Sequence, residues 1–389
     1  MVVKMFQPLS NIRVVDLTQV LAGPYATYQL ALMGAEVLKI EQPNLGDWTR
    51  DGAAPEGLQE QKMATSFLTQ NAGKKSITLD FKNSADFKNL KKLIKTADVF
   101  VENFRPGTAE RLGLSSEEVF KIKPNLIYCS ISAYGHDGPK SQRPAYDHIV
   151  QGMCGIMKLT GTPDTEPNKV GAPYIDYATG MNAAFAIVSA LHELKRTQKG
   201  IVLDVAMLDT SLLLMASLMT NHLNTGWQPQ ATGNEAWCQS PSSGAFETKE
   251  GLLMIAANNE RQHESLCEAL ELEYLLEDNQ FCVFENRKRN STKLRKIFAD
   301  KIHSETADFW ESRLEAFAVP AAKVRRLDEI LYDPQVLERE VTKPIRVDGS
   351  ATPLHMPTLG FKINGETVSP NAQPPRLGEH NSILMTDPD

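Results

Sequence analysis

The sequence predicts an α/β protein built on a parallel sheet, and three observations carry this. Strand and helix signals alternate through the first 135 residues, the strand runs are near-continuously apolar, and 389 residues are too many for one core. Continuous apolar strands set between helices belong to a sheet covered on both faces, and domains cluster near roughly 100–200 residues. The composition, 42% hydrophobic and 23% charged with 24 Gly and 22 Pro, is that of a folded globular chain rather than a disordered, collagen-like or coiled-coil one.

The elements follow in order. Residues 12–17 (IRVVDL) make a first strand, 25–33 carry helical periodicity stopped by Gly34, and 37–40 (VLKI) make a second strand. Residues 76–81 are a third strand, 84–95 a helix, 99–101 a fourth strand, 108–112 and 115–122 short helical pieces, and 126–131 a fifth strand. The polar stretch 43–69 is too long for a simple connection, and such loops are usually functional. A long helix over 176–195 ends in a basic turn and Gly200, followed by a strand at 201–206 and a helix at 208–223. Residues 224–247, rich in Gly, Asn, Gln, Ser and Pro, read as a linker or active-site loop. A second unit begins with a strand at 252–256 and a helix at 261–270, continues through helices at 292–302 and 306–317, and closes near 319–324. Short strands near 345–347 and 361–363 lead to a Pro-rich end.

Charge narrows the function classes. With 41 Lys+Arg against 48 Asp+Glu the net charge is −7, which argues against broad binding of nucleic acid or anionic membrane but leaves room for a local basic pocket. Cys129, Cys154, Cys238, Cys267 and Cys282 form no C-x-x-C pair and read as reduced core thiols of a cytoplasmic protein. The opening MVVKMFQPLSNIRVVDL lacks a signal-peptide core, and the apolar run 205–219 is interrupted by Asp209 and falls short of the roughly 20 residues a membrane span needs.

Several site chemistries drop out. The first turn, TQVLAGP (18–24), has one glycine followed by proline and cannot make the G-x-G-x-x-G approach to a pyrophosphate, although Glu41 lies where a ribose-binding acid would. No P-loop, H-E-x-x-H, G-x-S-x-G or EF-hand pattern occurs, and the eight histidines form no pair at i, i+3 or i, i+4, so no metal is expected. The most informative stretch is GAPYIDYATG (171–180), directly before the long helix. Asp176 there is either an N-cap accepting hydrogen bonds from first-turn amides, or a carboxylate that the helix end holds ionised and exposed at the sheet edge, where it acts as a nucleophile.

Taken together, the segments VVDLT (14–18) with AGP (22–24), LMGAEVLKIE (32–41), GDWTR (46–50), KSITLDFK (75–82), ADVFVENFRPG (97–107), the Asp176 stretch and LGEH (377–380) resemble the class III coenzyme A transferases, the CaiB/BaiF family of formyl-CoA and carnitine CoA-transferases. Order and spacing match across nearly the whole chain. The resemblance implies a Rossmann-like large domain plus a smaller α+β domain, paired in an interlocked homodimer. It divides the chain as 1–223 (large, CoA-binding), 224–325 (small, with linker) and 326–389 (return to the large domain). It implies that Asp176 attacks an acyl-CoA donor, forming an aspartyl anhydride and then an aspartyl-CoA thioester that an acceptor carboxylate resolves. It also implies a CoA pocket of Leu21, Ala22, Gln42, Leu79, Lys82, Asn103, Phe104, Arg105, Arg111, Arg143 and Tyr146, with acyl-CoA and a carboxylic acid as partners and succinyl-CoA as the favoured donor.

Lys82, Arg105 and Arg111 fall next to predicted strand ends, whereas Lys74, Lys91 and Lys92 read as solvated. Gln42 stands where many relatives carry arginine, and Gly226, Gly233, Gly244 and Gly251 are isolated where the formyl-CoA enzymes have a glycine run, so oxalate/formate specificity is not expected. Two other readings stay open. One is an α-methylacyl-CoA racemase, which would need a histidine where this chain has Tyr146; Glu260 matches the racemase glutamate. The other is a non-catalytic CoA-binding relative.

Overall fold

The structure, a computed structural model, describes residues 6–235 and 240–386; Cys238, read above as a core thiol, lies outside them. Six strands form one sheet: β1 (Arg13–Asp16), β2 (Glu36–Glu41), β3 (Lys75–Thr78), β4 (Val99–Glu102), β5 (Ile127–Ser132) and β6 (Ile201–Ala206). Every pairing is parallel and the order is β3-β2-β1-β4-β5-β6. Chain order reverses between β1 and β4, the topological switch at which open α/β sheets hold ligands beyond the strand carboxyl ends.

The apolar strand runs are explained by the two faces they fill. Val14, Val37, Val99, Val101, Ile127, Cys129 and Val205 pack on one side against α1 (Ala22–Leu32) and α4 (Tyr174–Thr197). Val15, Leu38, Ile40, Ile77, Phe100 and Tyr128 pack on the other against α2 (Ser84–Thr96) and the short helix Ser116–Ile122. Successive strand residues point to opposite faces, so a two-sided sheet leaves no polar alternation. Asn83 caps α2 by accepting from the amides of Ala85 and Asp86.

The described chain divides into two compact units, one of residues 1–155, 169–227 and 334–389, the other of 156–168 and 228–333. The smaller unit has a three-stranded antiparallel sheet of β7 (Ser243–Glu247), β8 (Leu252–Ala256) and β9 (Ala321–Lys323). It encloses a core of Phe246, Leu253, Ile255, Leu266, Leu294, Phe298, Trp310 and Leu314, supplied by the sheet and the helices α7 (Glu260–Ala269), α8 (Ser291–Ile302) and α9 (Ala307–Ala316).

Three local expectations are corrected. The helix expected at 208–223 is two, α5 (Met207–Leu213) and α6 (Ala216–Thr225), broken where Met215 leaves helical backbone angles. The stretch 224–247 contains β7, whose Ser and Gly hide a strand signal. Lys74 is not solvated: its ammonium is fully buried and donates to Asp16 Oδ2 (3.1 Å), the Pro24 carbonyl (2.8 Å) and Thr27 Oγ1 (2.7 Å). It belongs to a buried ionic cluster that includes Lys39–Asp47 (3.0 Å) and Arg50–Glu41 (2.7 Å). Burial disfavours charge on Asp16, Glu41 and Asp47, yet the adjoining lysines and Arg50 outweigh it and hold all three carboxyls below their usual range. Burial brings Lys74 down to about 8 even with Asp16 beside it. Glu41 is therefore not a ribose ligand; its oxygens are taken by Arg50, Ser76 and the Asp47 amide.

The C-terminal segment closes the β3 edge. The Gly378 amide donates to Ser76 Oγ, the His380 amide to the Ser76 carbonyl, and the Ser76 amide to His380 Nδ1. An exposed strand edge is thus paired rather than left open.

Candidate active site

The turn after β1 (Gln19, Val20, Leu21, Ala22), the turn after β4 (Asn103 to Pro106), the end of β5 (Ile131 to Ala133), residues 143–146 and Met207 line one cavity. All three strand ends are carboxyl ends, and β1 and β4 flank the switch point. The β4 turn is set locally: the Phe104 amide donates to Glu102 Oε2 at 2.7 Å, and burial raises the Glu102 carboxyl.

Of the eleven residues expected to bind CoA, Leu21, Ala22, Asn103, Phe104, Arg105, Arg143 and Tyr146 line this cavity. The other four do not. Leu79 is buried in the apolar layer beneath the sheet, among Ile77, Leu90 and Phe100. Gln42 and Lys82 are exposed beyond β2 and β3, and Arg111 is exposed in the helix Thr108–Arg111, donating to Thr108 Oγ1 at 2.7 Å. Gln19, Val20, Ile131, Ala133 and Met207 were missed, although the strand-end rule that singled out their neighbours applies to them as well.

Asp176 is not an N-cap. Helix α4 starts at Tyr174, so Asp176 is its third residue, and no side chain of the N-cap residue, Pro173, makes a capping bond. The cap is supplied by Asp147, a buried residue at the start of α3 (Asp147–Cys154), whose Oδ2 accepts from the amides of Ile175 (2.9 Å) and Asp176 (3.2 Å). Gln151 Nε2 donates to its other oxygen at 2.6 Å. Nothing in the sequence pattern linked Asp147 to a helix 27 residues further on.

This arrangement reverses the expected charge state. The helix end does not hold Asp176 ionised, because its free amides are spent on Asp147. Burial, with the negative charge of Asp147 added, pushes the half-buried Asp176 carboxyl up from 3.8 to about 7. That carboxylate makes no hydrogen bond or ion pair among the described residues. A titratable group shifted by burial and a like charge, and left without a partner, is a candidate functional position.

Two neighbours of Asp176 link its helix start to the cavity wall. Tyr146, in the cavity wall, is the N-cap of α3, next to Asp147. On the other side, Gly180, one turn beyond Asp176, presses α4 against the start of α1: a Cβ there would stand 2.7 Å from the Ala22 carbonyl. Tyr177 and Tyr25 meet edge-on with ring centroids 4.8 Å apart. Asp176 itself is not among the residues that line the cavity; it lies one helical turn before Gly180, the residue packed on Ala22. Among the described residues no group of three or more His, Cys, Asp or Glu could hold a metal.

A switch-point cleft with two exposed arginines, near an unpartnered carboxylate on a helix start, fits a site for acyl or group transfer. The model of "CoA-transferase family III" matches residues 9–381, and the chain belongs to that family. Similar proteins include the mouse succinyl-CoA:glutarate CoA-transferase, 34% identical over 98% of this chain and 86% of its own length. The succinate–glutarate CoA-transferase of Agrobacterium fabrum is also 34% identical, over 98% and 95% of the two chains. A crystal structure of a CaiB/BaiF family protein from Brucella suis superposes with a TM-score of 0.86 at 32% identity, covering 98% of this chain and 99% of that one. The protein is an enzyme of this class, with CoA thioesters as substrates.

Proposed function

We propose that the protein moves CoA from a short dicarboxylic acyl-CoA, succinyl-CoA first among them, to a free dicarboxylic acid of similar length, with Asp176 as nucleophile. The observation that carries this is the unpartnered Asp176 carboxyl, raised to about 7 and one helical turn from Gly180, which packs on Ala22 of the cavity wall. At neutral pH about half of it is ionised, and an ionised carboxylate of raised basicity is a stronger nucleophile than an ordinary aspartate. Its attack on the donor thioester carbonyl forms an Asp176 acyl anhydride and releases CoA thiolate. The thiolate attacks the Asp176 carbonyl, giving an aspartyl-CoA thioester and the free donor acid. The acceptor carboxylate repeats these steps in reverse and leaves as its CoA thioester.

The start of α1 and the β4 turn would offer the developing oxyanion main-chain donors, and Arg105 and Arg143 would pair with phosphates of CoA. Both similar enzymes named above are CoA-transferases whose names pair a succinyl or succinate group with glutarate, which supports the acid class. Tyr146, exposed and stacked near His148 with centroids 6.3 Å apart, stands where a racemase needs a proton-exchanging histidine. Glu260, the residue matching the racemase glutamate, is paired with Arg287.

The test is direct. Succinyl-CoA with glutarate should give glutaryl-CoA and succinate, and hydroxylamine or borohydride should trap a modification on Asp176. An Asp176→Ala enzyme that still transfers CoA would sink the assignment.

We also propose a homodimer in a cytosolic setting. Met181, Phe185 and Val188 form an i, i+4, i+7 stripe on α4 that is 58%, 72% and 36% exposed, and Leu213, Leu214 and Leu223 are exposed on α5, the residue after it and α6. Apolar faces of this extent mark association surfaces. Cys129, Cys154, Cys267 and Cys282 are free thiols, and no helix among the described residues is long and apolar enough to cross a membrane. A monomer by light scattering removes the dimer.

A further inference from the structure

Val20 sits in the cavity wall with φ +74°, a left-handed conformation that a β-branched residue rarely adopts. Such strain persists only where the surroundings over-determine it, and here each backbone polar group of residues 18–20 is gripped by a side chain. The Thr18 amide donates to Asp16 Oδ1 (2.9 Å) and the Thr18 carbonyl accepts from Lys39 Nζ (2.8 Å). Asn103 brackets Gln19, taking its amide proton (2.9 Å) and donating to its carbonyl (2.8 Å). The Val20 amide donates to Asp47 Oδ1 (3.3 Å) and its carbonyl accepts from Gln70 Nε2 (2.6 Å). Lys39 and Asp47 are themselves a pair 3.0 Å apart with both side chains fully buried.

These five side chains come from β1, β2, the 43–74 connection and the β4 turn, and among the described residues they converge on this turn. We propose that Lys39, Asp47, Gln70 and Asn103 are positioning residues for CoA transfer: they clamp Val20 in its strained conformation and so fix Leu21 and Ala22, the start of α1, beside Asp176. The long polar connection is then explained as the carrier of two of the clamps, Asp47 and Gln70. The proposal rests on the reading of Asp176 as nucleophile. A turn aimed at the reacting carbonyl acts on the transition state more than on substrate binding, so its loss lowers kcat with little change in KM.

The test uses the full-length enzyme with succinyl-CoA and glutarate. Gln70→Met keeps the side chain's length and removes one clamp without exposing a buried charge. Its kcat should fall at least about tenfold, with both KM values within about twofold of wild type. Glycine adopts positive φ without strain, so Val20→Gly in the Gln70→Met background should recover about threefold or more of the lost kcat. Val20→Gly alone should melt no lower than wild type. Wild-type kcat in Gln70→Met, a loss confined to KM, or a loss that Val20→Gly does not recover overturns the proposal; so does a lower melting temperature for Val20→Gly. Asp176→Ala run alongside separates the two ideas, because an active Asp176→Ala enzyme removes the nucleophile while leaving the rescue pattern readable on the remaining transfer activity.

Discussion

The Asp176→Asn substitution isolates the charge of the reactive carboxylate. In the folded protein this carboxyl is raised from 3.8 to about 7 by burial and by Asp147. Below pH 3.8 both folded and unfolded chains are protonated there and the group contributes nothing. Between 3.8 and 7 the folded state holds a proton that the unfolded state does not, so stability falls as pH rises, and the loss is complete above 7. At 1.36 kcal/mol per pH unit the full loss is about 4 kcal/mol, of which about 3 lies between pH 5 and 7. Asp176 is partly open to solvent, and screening brings that share to about 1–2 kcal/mol. Asparagine has no charge to bury, so the variant escapes the loss. Thermal unfolding of both proteins from pH 5 to 8 should show the variant gaining on wild type by roughly 1–2 °C across this range, most of it below pH 7. A melting difference constant from pH 5 to 8, or one favouring wild type at pH 8, would refute the raised carboxyl. Transfer by the wild-type enzyme should rise about tenfold per pH unit below 7 and flatten above it, since only the ionised form attacks.

Gly180→Ala would place a methyl 2.7 Å from the Ala22 carbonyl; overpacking against backbone should cost about 1–3 kcal/mol and reduce transfer, read by melting temperature and rate. Lys74→Met leaves Asp16 as a buried, unpaired charge and should destabilise by about 3–5 kcal/mol in denaturant titration, and Asp16→Asn added to it should recover much of that loss. Arg105→Ala and Arg143→Ala should raise the KM for acyl-CoA with a smaller effect on kcat, and high salt should narrow their difference from wild type. Asp147→Asn keeps one oxygen, enough for both α4 amides or for Gln151 but not all three, and removes the charge, so the midpoint of the pH–rate profile should move to lower pH while the melting temperature falls.

Much of the sheet was legible because its strands are buried on both faces and carry unbroken apolar runs such as VFV at 99–101, and 201–206 is a strand as expected. β7 was hidden because Ser243 and Gly244 lack the β-branched or aromatic content that marks a strand. Lys74 was misread for a different reason. A lysine in a polar stretch reads as surface, and its partner Asp16 lies 58 residues earlier, so only the fold reveals the pair. The site divides in the same way. Residues that follow strand ends, such as Asn103 and Arg105, are found by counting along the chain, whereas Lys82 and Arg111 satisfy the same rule and yet stand outside the cavity. Position after a strand fixes the end of the sheet, not which way a side chain turns.

The relation between Asp147 and Asp176 shows that the charge state expected from the sequence at 171–180 rested on the wrong physics. A helix start attracts a carboxylate, and Asp176 is the carboxylate the chain supplies there. Had it taken the cap itself, the amides would have stabilised its charge, lowered its basicity and tied down its oxygens, all of which weaken a nucleophile. Asp147 fills the cap from another helix and adds a like charge a few atoms away, leaving Asp176 free of partners and raised to about 7. The two aspartates are thus divided by environment into one that holds the helix and one that, in the proposed mechanism, reacts. Removing the cap-filling partner alters the reactivity of its neighbour as much as the stability of α4, and the pH–rate midpoint of Asp147→Asn separates those two effects.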